Sequence, residues 1–370
     1  MIMIPLARSK SICALASSLG LAICVFLLFV DARARSAEII DQRGHRVVLN
    51  APAQRVVFLP MPGPAMYIAV DGTDRHIVAM NPASKAAARE GLLATFFPKL
   101  NETATNIVQG ASFMPNVETI LALHPDAVFQ WTNPGTGVIV PLENARLTVF
   151  GMRNGGQSDL RDAIILMGKV SGEDKRAQTI VEMQNKRANE LAAALKGLPG
   201  DQRPRVLYLR RFSGSLSVNG SGSYNDFYIQ FAGGDDVATS SLGVNGTVTL
   251  EQILAWNPQV ILLGNFDKAM PDDLYNDPRW QGIAAVETHR VYRMPLGAYR
   301  WDPPSEESAL AWTWLAELLH PDRVRINLRK DIHAWYKMLY GLAATEADID
   351  RILFVKQNEG SAGYIRLAAP

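Results

Sequence analysis

The chain has 370 residues, 48% hydrophobic and 20% charged, with a formal net charge of +1. That balance excludes a disordered chain, and near-neutrality excludes electrostatic capture of nucleic acid or of an anionic membrane. The length suits two domains of about 150 residues, each burying a core of its own.

The predicted elements begin with a leader. Arg8 and Lys10 precede an apolar run over 12–30, and Ala32-Arg33-Ala34 follows with small residues at signal-peptidase spacing. Residues 1–34 therefore read as a cleavable secretory signal. A retained leader that tethers the chain is the alternative, since the run is long enough to span a bilayer. Cys24 follows Ile23 rather than a small residue, which argues against a lipoprotein. Both cysteines, Cys13 and Cys24, fall inside this leader. The remaining chain has no thiolate chemistry and relies on its cores rather than on disulfides.

Beyond the leader, short apolar runs alternate with helical segments. Arg55-Val56-Val57-Phe58-Leu59, bounded by Pro52 and Pro60, reads as a buried strand, 66–70 as helix and 76–80 as the next strand. This alternation predicts an α/β fold with mostly parallel sheets. A gapless internal repeat follows. Residues 116–131, NVETILALHPDAVFQW, align with residues 249–264, TLEQILAWNPQVILLG. In each copy Asn116 or Thr249 caps a short helix with one apolar face. Pro125 or Pro258 then ends it, and a strand begins. The separation exceeds any solenoid period, so the repeat predicts two lobes on one plan.

Between the copies, Ser171 with Asp174 predicts a capping box for a helix over 173–196, ended by Gly197 and Pro199. At about 36 Å it is long enough to run from one lobe to the other. Residues 205–209 open the second lobe, 213–223 are a Gly/Ser loop, 310–353 are helical in character, and the last ten residues read as loose. The domain boundaries expected are 1–34 for the signal, 35–170 for the first lobe, 171–198 for the connecting helix and 199–370 for the second lobe.

Catalytic motifs are missing. The sequence has no G-x-S-x-G elbow and no P-loop. The six histidines, His45, His76, His124, His289, His320 and His333, are scattered without ligand spacing, which disfavours a bare metal site. A single axial ligand from histidine or tyrosine to a haem stays open.

Four patterns carry a family resemblance. They are Asp41-x-x-Gly44-x-x-Val47 with Pro52-x-x-Arg55-Val56-Val57, the duplicated Glu-x-Ile-Leu-Ala-x-x-Pro, Asp277-Pro278-Arg279-Trp280 running on to Arg290-Val291-Tyr292, and Leu318-Leu319-His320-Pro321-Asp322. Together they resemble the class III periplasmic substrate-binding proteins of ABC importers for ferric siderophores, haem and cobalamin. The resemblance implies two Rossmann-like lobes joined by one long helix, with the ligand cleft between them. It also implies a monomeric periplasmic protein with no cofactor of its own. Its partners would be an iron-bearing metal chelate, a ferric siderophore first, and an inner-membrane permease whose arginines meet Glu118 and Glu251. Cobalamin, haem or another metallophore is the alternative cargo. A secreted α/β enzyme or a tethered ligand sensor is the remote alternative.

Ligands of open α/β sheets bind at loops following the strands. That rule selects Met61, Trp131 and Arg153 in the first lobe. In the second it selects Arg210 and Arg211, Tyr224 beyond the Gly/Ser loop, and Tyr299, Arg300 and Trp301. Arginine forks suit an anionic chelate, and aromatic rings suit its apolar faces.

Overall fold

A computed structural model describes residues 37–109, 113–132 and 136–368. The leader, with Cys13 and Cys24, lies outside the described residues. Among those described, no helix is long and apolar enough to cross a membrane.

The first lobe is built on four parallel strands in the order Ile77–Met80, Val56–Phe58, Ala127–Trp131 and Val149–Met152. All are covered on both faces, which is why they read as unbroken apolar runs. Successive residues serve opposite faces. Val57, Val128 and Val149 enter an outer core. Phe58, Phe129 and Phe150 form a cross-strand ladder on the inner face, with ring centroids 4.8 and 5.5 Å apart. The second lobe repeats the plan with Arg205–Arg211, Val260–Leu263 and Val291–Arg293 in parallel. Three two-residue strands that the sequence pattern does not mark, Ser217–Val218, Asp235–Asp236 and Gly246–Thr247, extend its edge. The duplicated segments thus lie in different sheets, as the repeat predicts.

A helix of the first lobe leads into the one long helix that joins the lobes. Gln157–Ser171 ends at Gly172, whose φ of +81° is the left-handed C-cap conformation that glycine adopts freely. Asp174–Ala194 follows, 21 residues and about 31 Å long. The expected Ser171 capping box does not form. Ser171 is the last residue of the preceding helix, and its hydroxyl donates back to the carbonyls of Met167 and Gly168. The helices touch closely at Gly168, where a Cβ would stand 2.5 Å from that of Ala177.

The expectation of two separate cores holds only for the outer faces. The inner faces of both sheets share one core with these two helices and the helices Ser308–Leu319 and Leu328–Tyr340. Polar ties reinforce it. Arg176 donates to the carbonyls of Ala69, Met338 and Leu339. Buried Gln184 bonds Gln157 on one side and the carbonyls of Ser305 and Glu306 on the other. The chain's end is not loose up to residue 368. Tyr364 is buried, donates to the Leu353 carbonyl and accepts from Trp314, and its ring stacks on Tyr292 of the second sheet.

Candidate functional site

The C-terminal ends of both sheets open into one cleft of about 410 Å³. From the first lobe, Met61 follows Val56–Phe58, Trp131 ends Ala127–Trp131, Met152 ends Val149–Met152 and Arg153 follows it. Phe113 packs edge-on to Trp131 at 6.4 Å, and the Gln130 amide donating to the Phe113 carbonyl holds that loop. Arg153 is half-exposed. It pairs with Asp159 at 2.9 Å and reaches Asp162 at 3.4 Å.

The second lobe contributes a different chemistry. Arg210 lies near the end of Arg205–Arg211 with its guanidinium 4.9 Å from the centre of the Phe266 ring. No carboxylate among the described residues pairs with it. Tyr224 and Tyr299 present ring surface to the cleft. Burial pushes both phenols far above their ordinary range, so they remain neutral hydroxyls and poor phenolate ligands. Tyr224 accepts from the Trp312 indole at 2.9 Å. Asp302, Asn219 and Asn225 form the polar floor. Asp302 is 1% exposed, and its Oδ2 accepts from the Tyr208 hydroxyl at 2.8 Å and the Asn265 N–H at 2.7 Å. Burial raises its pKa, with Arg300 and Arg293 opposing.

None of the six histidines borders this cleft, and no cluster of potential metal ligands exists among the described residues. The site is two-sided, with an apolar wall of sulfur and aromatic groups and a cation from each lobe. It can hold an anion with apolar faces; no nucleophile paired with a base is assembled in it among the described residues.

A family model described as periplasmic binding protein matches residues 85–296, more than half the chain. The chain belongs to the periplasmic binding protein family. The molybdate-binding protein MolA of Haemophilus influenzae is 25% identical over 324 residues, covering 82% of this chain and 90% of that protein. The Fe(3+) dicitrate-binding periplasmic protein FecB of Escherichia coli is 22% identical over 272 residues, covering 72% and 84%. A solved periplasmic solute-binding protein from Veillonella parvula superposes with a TM-score of 0.81 at 30% identity, covering 88% of this chain and 98% of that one. This periplasmic binding protein is accordingly a substrate-binding component of ABC importers and not an enzyme.

Three of the residues selected from the sequence lie away from the binding protein's cleft. Arg211 is exposed, because successive strand residues point to opposite sides and Arg210 takes the inner one. Arg300 turns to the other lobe, pairing with Glu90 at 2.7 Å while its guanidinium stands 4.7 Å from the Phe266 ring centre. Trp301 is fully buried and donates its indole N–H to Glu307. Met61, Trp131, Arg153, Arg210, Tyr224 and Tyr299 all border the cleft. Sequence reasoning passed over Asp302, Asn219 and Phe266. The one available signal was Asp302-Pro303-Pro304, a carboxylate held extended ahead of proline.

Glu118 and Glu251 are exposed in the first turns of Val117–Ala122 and Leu250–Trp256. Asn116 accepts from the Thr119 N–H and Thr249 from the Gln252 N–H, so each helix is capped alike. Hydrogen bonds from its own N–H and from Thr249 hold the Glu251 carboxyl below the usual range. Each helix starts a few residues after a cleft-lining residue, Phe113 or Asn245.

Proposed function

We propose that this protein captures an anionic metal chelate, a ferric siderophore in the first instance, and delivers it to an inner-membrane permease through Glu118 and Glu251. It acts as a periplasmic monomer after removal of residues 1–34. The observation that supports the cargo is Arg210, a guanidinium over Phe266 without a carboxylate partner among the described residues, in the same cleft as Arg153. An unneutralised cation beside methionine and aromatic walls suits an anion whose charge is carried on a bulky, partly apolar body. FecB, a relative named for binding Fe(3+) dicitrate, supplies an anionic ferric chelate as precedent.

A second reading has its own support: MolA, 25% identical over most of both chains, binds molybdate. A bare oxyanion would use the arginines and leave the apolar walls idle.

Intrinsic tryptophan fluorescence and calorimetry with ferric citrate, ferric hydroxamates, haem, cobalamin and molybdate separate these readings. The expected result is tight binding of one ferric chelate, weakened about 10- to 100-fold by Arg210→Gln, the loss of a hydrogen bond to a charged group. Binding of molybdate alone would install the second reading.

A further inference from the structure

The cleft floor carries two hydrogen-bond acceptors that no group among the described residues satisfies. Asp302 gives Oδ2 to Tyr208 and Asn265, while its Oδ1 is buried and has no partner among the described residues. Asn219 Oδ1 is in the same condition. Its amide cannot simply be reversed without loss. Its Nδ2 donates to Asn225 Oδ1 at 2.7 Å, and Asn225 spends its own Nδ2 on the Tyr228 hydroxyl and the Asp302 carbonyl. The neighbouring guanidiniums make no hydrogen bond to Asp302 among the described residues: their Nε–H groups are unpartnered, and their terminal nitrogens are spent elsewhere. Arg300 bonds Glu90, and Arg293 bonds the carbonyls of Gly264 and Ala269. Two buried acceptors at the floor of a binding cleft are costly unless water or a ligand brings donors to them.

Building on the chelate reading, we propose that Asp302, seconded by Asn219, determines specificity by accepting a hydrogen bond from the ligand. The cleft thereby selects chelates that are anionic toward Arg210 and carry a free N–H or O–H group toward Asp302. An oxyanion without hydrogens meets the reverse: like charge at Asp302 and two acceptors left unpaired. Sites that hydrogen-bond a ligand's donor reject analogues lacking it far more strongly than apolar pockets reject a missing methylene.

The local geometry supplies a switch for testing this. Tyr208 and Asn265 both donate to one oxygen of Asp302, so in Asp302→Asn the amide keeps its carbonyl oxygen there and turns its NH2 into the cleft. The floor then changes from acceptor to donor with little change of shape. Fluorescence titrations of the full chain with a ferric peptide-hydroxamate bearing free N–H groups, ferric citrate and sodium molybdate read the outcome. Asp302→Asn is expected to weaken the better-bound chelate at least about tenfold, one lost charged hydrogen bond, and to tighten molybdate. Asn219→Ala, which leaves Tyr208 and Asn265 untouched, is expected to weaken the chelate severalfold with no gain for molybdate, and it decides the matter if Asp302→Asn does not fold. A chelate bound equally well by the wild type and the folded variants overturns the role of Asp302 while leaving the chelate reading in place. A wild type that binds molybdate and neither chelate overturns both.

Discussion

Glu306 and Glu307 are consecutive, fully buried carboxyls, and no arginine or lysine among the described residues hydrogen-bonds either one. Glu307 collects four donors: the Ala298 N–H, the Trp301 indole and the hydroxyls of Tyr336 and Tyr340. Among the described residues Glu306 meets only the Tyr340 hydroxyl, whose single hydrogen cannot serve both carboxyls, and its Oε2 is unpartnered. Burial and the adjacent Glu307 push Glu306 well above the ordinary glutamate range, so the folded chain keeps a proton that the unfolded chain releases. Burial likewise raises Asp236 and Glu317 to about 7. For groups raised on folding, the stabilisation is complete below their unfolded values and is lost as pH rises through the folded ones. The thermal midpoint is therefore expected to fall between pH 5 and pH 8.5. Glu306→Gln, a neutral group of the same shape, should recover part of that loss at pH 8.5 and change little at pH 5. Equal shifts at the two pH values in circular-dichroism melts would refute the assignment. The same stretch of chain shows what residue-level reading from sequence can and cannot reach. The rule that ligands meet loops after strands brought attention to Tyr299, Arg300 and Trp301. Yet the chain doubles back there, with Gly297 N–H donating to the Tyr299 carbonyl. A local turn of this kind has no periodicity to betray it, so Arg300 and Trp301 leave the cleft and Asp302 enters.

At the scale of elements, Val117–Ala122 and Leu250–Trp256 repeat each other in cap, acidic first turn and apolar face. Each also exposes a leucine one turn after the glutamate, Leu121 at 40% and Leu254 at 38%. Hydrated carboxylates on both lobes can orient an encounter with a permease while contributing little to the strength of the complex, which must release. Charge reversal at both, Glu118→Lys with Glu251→Lys, is expected to abolish uptake in whole cells while the purified protein keeps its ligand affinity. Loss of ligand binding instead would mean that these helices do not serve docking. The repeat was legible because capping residue, apolar spacing and terminal proline are all local signals. The strands Ser217–Val218, Asp235–Asp236 and Gly246–Thr247 were not, since each consists of two residues held by pairing across the sheet edge rather than by a pattern of its own. Ser171 misled for a related reason: a hydroxyl before an acidic residue reads as a start signal, but the left-handed Gly172 makes it an end.

For the whole molecule, the length and the internal repeat pointed to two lobes but not to the way their inner faces merge. A core shared through Asp174–Ala194 and the C-terminal helices depends on contacts between residues more than a hundred positions apart, which no sequence window contains. It has a mechanical consequence. Opening the lobes like a hinge would have to break the Arg300–Glu90 pair, the Leu92 N–H bond to the Gly297 carbonyl and the buried Gln184 bridge together, and would uncover apolar core. Close-packed interfaces of this kind yield by small sliding, on the order of 1–2 Å, rather than by wide rotation. Spin labels at positions 121 and 254, in a chain with both cysteines replaced, should therefore report nearly the same distance with and without bound chelate. In the Arg300→Gln background, where the Glu90 tie is cut, the distance distribution should broaden when the cleft is empty and narrow again when it is filled. A shift of many ångströms in the unmodified chain would show that the shared core opens after all, and that closure on the ligand is driven by a hinge this packing does not supply.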